Sequence, residues 1–229
     1  MGLQKFIYAI LLAIFVLIPV ILSYKRRDGY LKKLKYLFPA MLFAAIIFSI
    51  WDVRFTELGI WTFNFEFVSG ITIRNLPVEE WLFFFVVPFF SVYFYEWVKG
   101  KEISDKNPNL FVVISLVLLV FFGLITYFFR KELYPFFTFF LLTIYFGYTI
   151  FRNNFKKNYP YFYVSFLIAF VPFLIFRGIL TALPVISLDS LHILNIHIFT
   201  VPVEDIGYFF LLHLINVTIY EFLSEKQFF

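Results

Sequence analysis

Seven apolar runs, near residues 4–23, 34–52, 78–98, 109–129, 133–151, 161–182 and 202–222, follow one another from end to end of a 229-residue chain. A hydrocarbon core is crossed by roughly 20 apolar residues in a helix, and inside it every backbone N–H and C=O has to be satisfied within the protein. The runs therefore predict an all-α integral membrane protein of about seven transmembrane helices, with no soluble domain of any size. Only 15% of the residues are charged, against roughly 25% in soluble domains. The first run is long, lacks a small-residue cleavage pattern and leads into further apolar runs, so it reads as a retained helix rather than a signal peptide.

The basic residues fall in alternate loops. Lys25, Arg26, Arg27, Lys32, Lys33 and Lys35 follow the first run, Lys99, Lys101 and Lys106 the third, and Arg152, Lys156 and Lys157 the fifth. By the positive-inside rule these loops face the cytoplasm. A multi-pass protein of the cell membrane is expected, with its N-terminus outside and its C-terminus cytoplasmic; Lys5 is outweighed by the loop that follows. The absence of cysteine excludes disulfides, Fe–S clusters and thiol catalysis.

Sliding the sequence by 125 residues lays the third run on the seventh: Ile71, Ile73, Pro77, Val78, Glu79, Phe84, Phe85, Val92, Tyr95 and Glu96 meet Ile196, Ile198, Pro202, Val203, Glu204, Phe209, Phe210, Val217, Tyr220 and Glu221. Glu80 meets Asp205. The same offset lays the second run on the sixth, with Tyr36 on Tyr161, Ala44 on Ala169, Phe48 on Phe173 and Thr56 on Thr181. The organisation expected is two parallel three-helix repeats, 1–104 and 131–229, joined by a linking helix within 105–130 and related by an axis along the membrane normal.

Each repeat carries one chemically loaded motif, Pro77-Val78-Glu79-Glu80 and Pro202-Val203-Glu204-Asp205. Proline suits the first helical position, and acids in the first turn are favoured by the helix dipole, so a purely structural reading exists. Two copies amid diverged surroundings, with ionisable groups at membrane depth, favour a functional one. If the halves pack as a pseudo-twofold pair, Glu79 and Glu204 are expected to enter one central cavity.

These twin proline-x-acid-acid motifs open the third and seventh helices, with Ile-x-Ile before and a phenylalanine-rich helix ending in Tyr-Glu after. The pattern resembles the membrane-embedded lycopene cyclases, which occur as two small subunits, as one fused bacterial or archaeal chain, or as the cyclase half of a fungal bifunctional protein. The likeness covers essentially the whole chain and is to the fused form. It implies formation of β-ionone rings from the open ψ ends of lycopene, giving γ-carotene and then β-carotene, without FAD. The sequence agrees on that point, since it has no Gly-rich dinucleotide fingerprint and no cofactor is expected. The expected partners are a carotenoid substrate within the bilayer, membrane lipid and other carotenoid enzymes, and no nucleic acid. One departure stands before the second motif, where Ser187-Leu188-Asp189-Ser190 is set against Phe63-Asn64-Phe65-Glu66; the family's aromatic-Asn pair is kept only in the first half.

Ring closure needs a proton given to a terminal alkene, a tertiary carbocation kept from water, and a proton removed from the ring. A carboxyl group can hold a proton at neutral pH where burial and a neighbouring carboxylate disfavour its charged form. Glu79 and Glu204 are expected as proton donors, with Glu80 and Asp205 as partners that tune or take back the proton. Trp81, Phe83, Phe84, Tyr208 and Phe209 lie within two turns of the acids and offer aromatic faces to a cation, at about 0.5–2 kcal/mol each; packing or lipid contact is the plainer role for such rings.

Asp52 and Arg177 occupy equivalent positions and are expected either to pair between the halves or to snorkel to the interface. Glu96 and Glu221 sit roughly 25 Å along the helices from the motif acids, and an ion pair of Glu96 with Lys99 is expected there. His192, His197 and His213 show no metal-ligand spacing, so no metal is expected. Ser91 and Asn216 are candidates for interhelical hydrogen bonds.

Three other readings are weaker. A retinal photoreceptor needs a buried lysine, and none lies between Pro202 and Glu221. A small proton-coupled transporter built on a parallel repeat would use midplane acids and paired Gly/Pro breaks, whereas these acids stand at helix mouths. A non-catalytic scaffold of pigment synthesis would need the acids only as helix caps.

Overall fold

The computed structural model describes residues 3–101, 109–152 and 155–226. Lys106 and the expected boundary between 104 and 105 lie outside the described residues. Seven helices long and apolar enough to cross a membrane follow one another: α1 Ile7–Arg26, α2 Leu34–Glu57, α3 Val78–Lys99, α4 Leu110–Phe128, α5 Leu133–Phe151, α6 Tyr159–Ala182 and α7 Val203–Lys226. Pro19, Pro39, Pro88 and Pro172 lie inside helices, which stay continuous because the freed backbone groups are re-satisfied within a packed bundle.

The packing is that of a duplicated unit. α3 lies against α6 and α2 against α7; α1 backs α3 as α5 backs α7. α3 and α7 are the most buried spans and meet at the centre. The linking helix α4 is the most exposed and packs mainly on α5.

Six short strands, absent from the expectation of pure helix, shape one end of the bundle. β2 (Thr72–Ile73) pairs with β3 (Leu76–Pro77) immediately before α3, and β5 (His197–Ile198) pairs with β6 (Val201–Pro202) immediately before α7. The tight turns need left-handed residues at matching places, Arg74 and Phe199 in the hairpins and Gly70 and Asn195 ahead of them. The Ile-x-Ile signature is therefore a hairpin strand. Its Ile71 and Ile196 carbonyls accept the first helical N–H groups of Val78 and Val203 at 2.9 and 3.0 Å. Pro77 caps α3 in extended backbone, φ −61° and ψ 150°, rather than occupying the first helical position, because the hairpin holds it in a strand.

β1 (Trp61–Phe63) and β4 (Ile186–Leu188) join the two halves as an antiparallel pair centred on Thr62 opposite Ser187. The flanking bonds are mates: Asn64 N–H reaches the Val185 carbonyl at 3.0 Å, and Asp189 N–H reaches the Ile60 carbonyl at 2.9 Å. The pseudo-twofold relation thus runs between Thr62 and Ser187, and the loop keeps the 125-residue offset. This corrects the alignment of the loop: Asn64 corresponds to Asp189, not to Leu188. Both side chains make the same turn, Asn64 Oδ1 accepting the N–H of Glu66 at 2.9 Å and Asp189 Oδ1 that of Leu191 at 3.2 Å.

Candidate active site

The first turns of α3 and α7 begin where the hairpins release the chain, so each motif places two successive acids about 100° apart on a helix. The two acids face different surroundings. Glu79 accepts the Ser69 N–H at 2.7 Å, and Glu204 accepts the Leu194 N–H at 2.5 Å. Each therefore ties down the loop that precedes its own hairpin. In both, the second carboxyl oxygen is buried and accepts no hydrogen bond among the described residues.

Glu80 and Asp205 turn instead toward the junction of the halves. The Tyr8 hydroxyl donates to Glu80 at 2.7 Å, and the Tyr134 hydroxyl donates to Asp205 at 2.5 Å. Arg177 Nε donates to the other oxygen of Asp205, also at 2.5 Å. Asp52 accepts the Tyr208 hydroxyl on both oxygens, at 3.0 and 3.2 Å. Asp52, Glu80, Arg177 and Asp205 are each at most 4% exposed and feel one another's charge, so three acids and one guanidinium form a single buried cluster. Leaving such charges unpaired is costly, which is why each acid carries a donor.

Several expectations are redirected. The motif acid at the inter-half junction is the second of each pair, while the first grips its own loop. Asp52 and Arg177 make no ion pair with each other; the bridge of Arg177 goes to Asp205, and neither residue snorkels. Trp81 is half-exposed, and its indole N–H reaches back to the Ile73 carbonyl at 3.3 Å, away from the cluster. Phe84 and Phe209 are buried packing rings, Phe84 beside Phe48 at 6.2 Å and Phe209 stacked on Phe173 at 4.2 Å. Phe83 and Tyr208, which are repeat mates, face each other at 6.4 Å across the centre. Pro77 and Pro202 close the hairpins as described.

Sequence reasoning missed Tyr8, Tyr134 and Trp61. The two tyrosines are mates one residue out of the 125-residue register, and a second self-comparison with a one-residue gap finds them. Trp61 stands on β1, its ring 5.3 Å from Tyr134, 5.9 Å from Tyr208 and 6.0 Å from the Arg177 guanidinium. It roofs the cluster from the strand pair.

Toward the far end of the bundle Lys99 pairs across the halves with Glu221, at 2.6 and 2.8 Å, rather than with Glu96. Glu96 is taken by Lys33 and by the Tyr220 hydroxyl. Ser91 bridges to His213 of the other half at 2.9 Å, and His213 also meets Ser165 at 3.1 Å. Among the described residues Asn216 bonds within its own helix, to the Leu212 carbonyl. No group of three or more metal-ligating side chains exists among the described residues.

Fold and site together define a multi-pass membrane protein of two repeated halves with a buried acid cluster at their junction. The family model for lycopene cyclases matches residues 5–98 and 131–223, leaving out the stretch that holds α4. The chain belongs to the lycopene cyclase family, and so to the membrane enzymes of carotenoid biosynthesis. Curated proteins and solved structures give no match.

Proposed function

We propose that the chain is a lycopene β-cyclase, closing ψ end groups to β-ionone rings by acid catalysis without a redox cofactor. The observation that carries this reading is the pair of buried carboxyl oxygens, one on Glu79 and one on Glu204, that no donor among the described residues meets, each next to a motif acid fixed in the central cluster. The reaction is redox-neutral. A proton from the free oxygen adds to the terminal alkene, leaving a tertiary cation; the internal alkene attacks it and closes the ring; a ring C–H gives its proton back, leaving the new ring double bond.

Glu79 and Glu204 are the donors in this scheme. Asp205 is committed to Arg177 and Tyr134, so it acts as a fixed counter-charge. Glu80 has, among the described residues, the Tyr8 hydroxyl alone as a direct hydrogen-bond partner and is the acid free to take a proton back. Phe83, Tyr208 and Trp61 supply π faces in a dry setting, where a cation gains most from them. The basic loops support a cytoplasmic C-terminus and an N-terminus outside, which would set the acids at the extracytoplasmic end.

The test is expression in a bacterial host that accumulates lycopene, followed by chromatography of its pigments. The wild-type chain is expected to give γ- or β-carotene, and the Glu79→Gln, Glu204→Gln double variant, present in the membrane at equal level, to leave lycopene unchanged. A double variant as active as wild type would remove the acids from the mechanism. Unchanged lycopene with wild type would overturn the substrate assignment.

A further inference from the structure

α4 lies in the stretch between the two matched repeats, and together with the second half it builds a cavity. Between α4 and the outer faces of α5, α6 and α7 lies an apolar space of about 640 Å³, walled by Phe121 and Phe122 of α4, Phe166 and Phe210, and ending on Leu194 and Val203. That volume is within the usual range for small-molecule sites, roughly 300–1,000 Å³. Its one hydroxyl, on Tyr163, is engaged with Ser115 at 2.7 Å.

The end of this cavity adjoins the chemistry. Val203 precedes Glu204 in the chain, and Leu194 is the residue whose N–H the Glu204 carboxyl holds at 2.5 Å. Glu204 does not itself line the space: it is 0% exposed, with one oxygen that meets no donor among the described residues. A hydrocarbon-walled space that ends one residue short of a buried carboxyl, on Val203 and on the Leu194 that this carboxyl holds, suits a long apolar molecule whose end reacts with a proton. α4 packs on the second half, against α5 and α6. Tyr163 and Gly207, which line the groove, are not exposed, whereas their first-half mates Phe38 and Leu82 are.

We infer that the α4 groove seats the polyene of a ψ-end carotenoid with its end group at Glu204, so that the second half is the entry site and the halves treat substrate unequally. This rests on the cyclase reading of Glu204. The test places a photo-crosslinking benzoylphenylalanine at Phe121 or at Phe38 in the Glu204→Gln chain, reconstituted in nanodiscs with lycopene. Adduct with lycopene is expected at 121 and not at 38. Independently, Leu167→Trp, which fills the groove, is expected to lower conversion by about tenfold or more, while Leu42→Trp on the open face leaves it unchanged and both melt alike. Equal labelling at the two positions, or labelling of lipid alone, overturns the groove whether or not Leu167→Trp folds. Conversion of lycopene by wild type with no preference for 121 would sink the groove and leave the cyclase standing. Adduct at 121 without any conversion by wild type would do the reverse.

Discussion

Arg177 holds Asp205 through Nε at 2.5 Å, with both side chains buried. Its repeat mate, Asp52, is an acid. The two halves therefore differ in charge where they meet, since one contributes a guanidinium and the other a third carboxyl group to the same cluster.

Replacing Arg177 by Met leaves Asp205 with only the Tyr134 hydroxyl and three acids without a compensating charge. Loss of one partner from a buried pair costs about 3–5 kcal/mol. A large fall in thermal unfolding temperature in detergent is expected, and Asp205→Asn added to Arg177→Met should recover part of it. If the single variant melts like wild type, the cluster is not the electrostatic core of the junction.

Tyr8→Phe and Tyr134→Phe each delete one hydroxyl and nothing else. Hydrogen bonds to charged groups contribute about 1.5–3 kcal/mol. Each variant should lose stability on that scale. Tyr8→Phe should also slow lycopene conversion in membranes, because Glu80 has no other direct partner among the described residues to orient it. Unchanged initial rates for Tyr8→Phe would take Glu80 out of the proton-return step.

Gly207 lets α7 lie tight against Phe139 and Thr138 of α5. A Cβ placed there would stand 2.9 Å from Phe139 Cε1 and 3.1 Å from Thr138 Cγ2. Overpacking of this kind costs about 1–3 kcal/mol, so Gly207→Ala should lower the unfolding temperature. In contrast, Gly59→Ala meets no atom within 4 Å, though its φ of +72° carries a backbone cost. The readout is the same thermal scan on both.

Asp189 lies outside the spans, and the Leu191 N–H and the His192 ring hold its carboxyl below the usual carboxylate range. A depressed pKa contributes order above the ordinary value of about 3.9 and loses it as pH falls through the folded value. Protease sensitivity of the 186–198 loop should thus stay flat from neutral pH down to about 4 and rise only below it. Asp189→Asn should abolish that acid step; an identical step in the variant would assign it to another group.

The helices and the repeat were legible because apolar runs and a constant offset are properties of the chain itself. Glu79, Glu80, Glu204 and Asp205 were found by the same offset. Their division of labour was not, because it depends on the preceding loops: the Ser69 and Leu194 N–H groups hold Glu79 and Glu204, while Glu80 and Asp205 meet donors from other helices. Tyr8 and Tyr134 were hidden by a one-residue gap, and Trp61 by a strand pair between segments 125 residues apart that no local pattern encodes. Arg177 and Asp52 were recognised as mates, but mates about a twofold axis need not touch, and each instead bonds a residue of α7.

The contact of β1 with β4 is isologous: Trp61 meets Leu188 as Phe63 meets Ile186, around Thr62 and Ser187. A contact of that symmetry is one that a half-length chain can make with a second copy of itself. The chain is thus joined across its strand seam as a homodimer would be, and two halves held in one chain need not match, as Asp52 in one and Arg177 at the equivalent place in the other show.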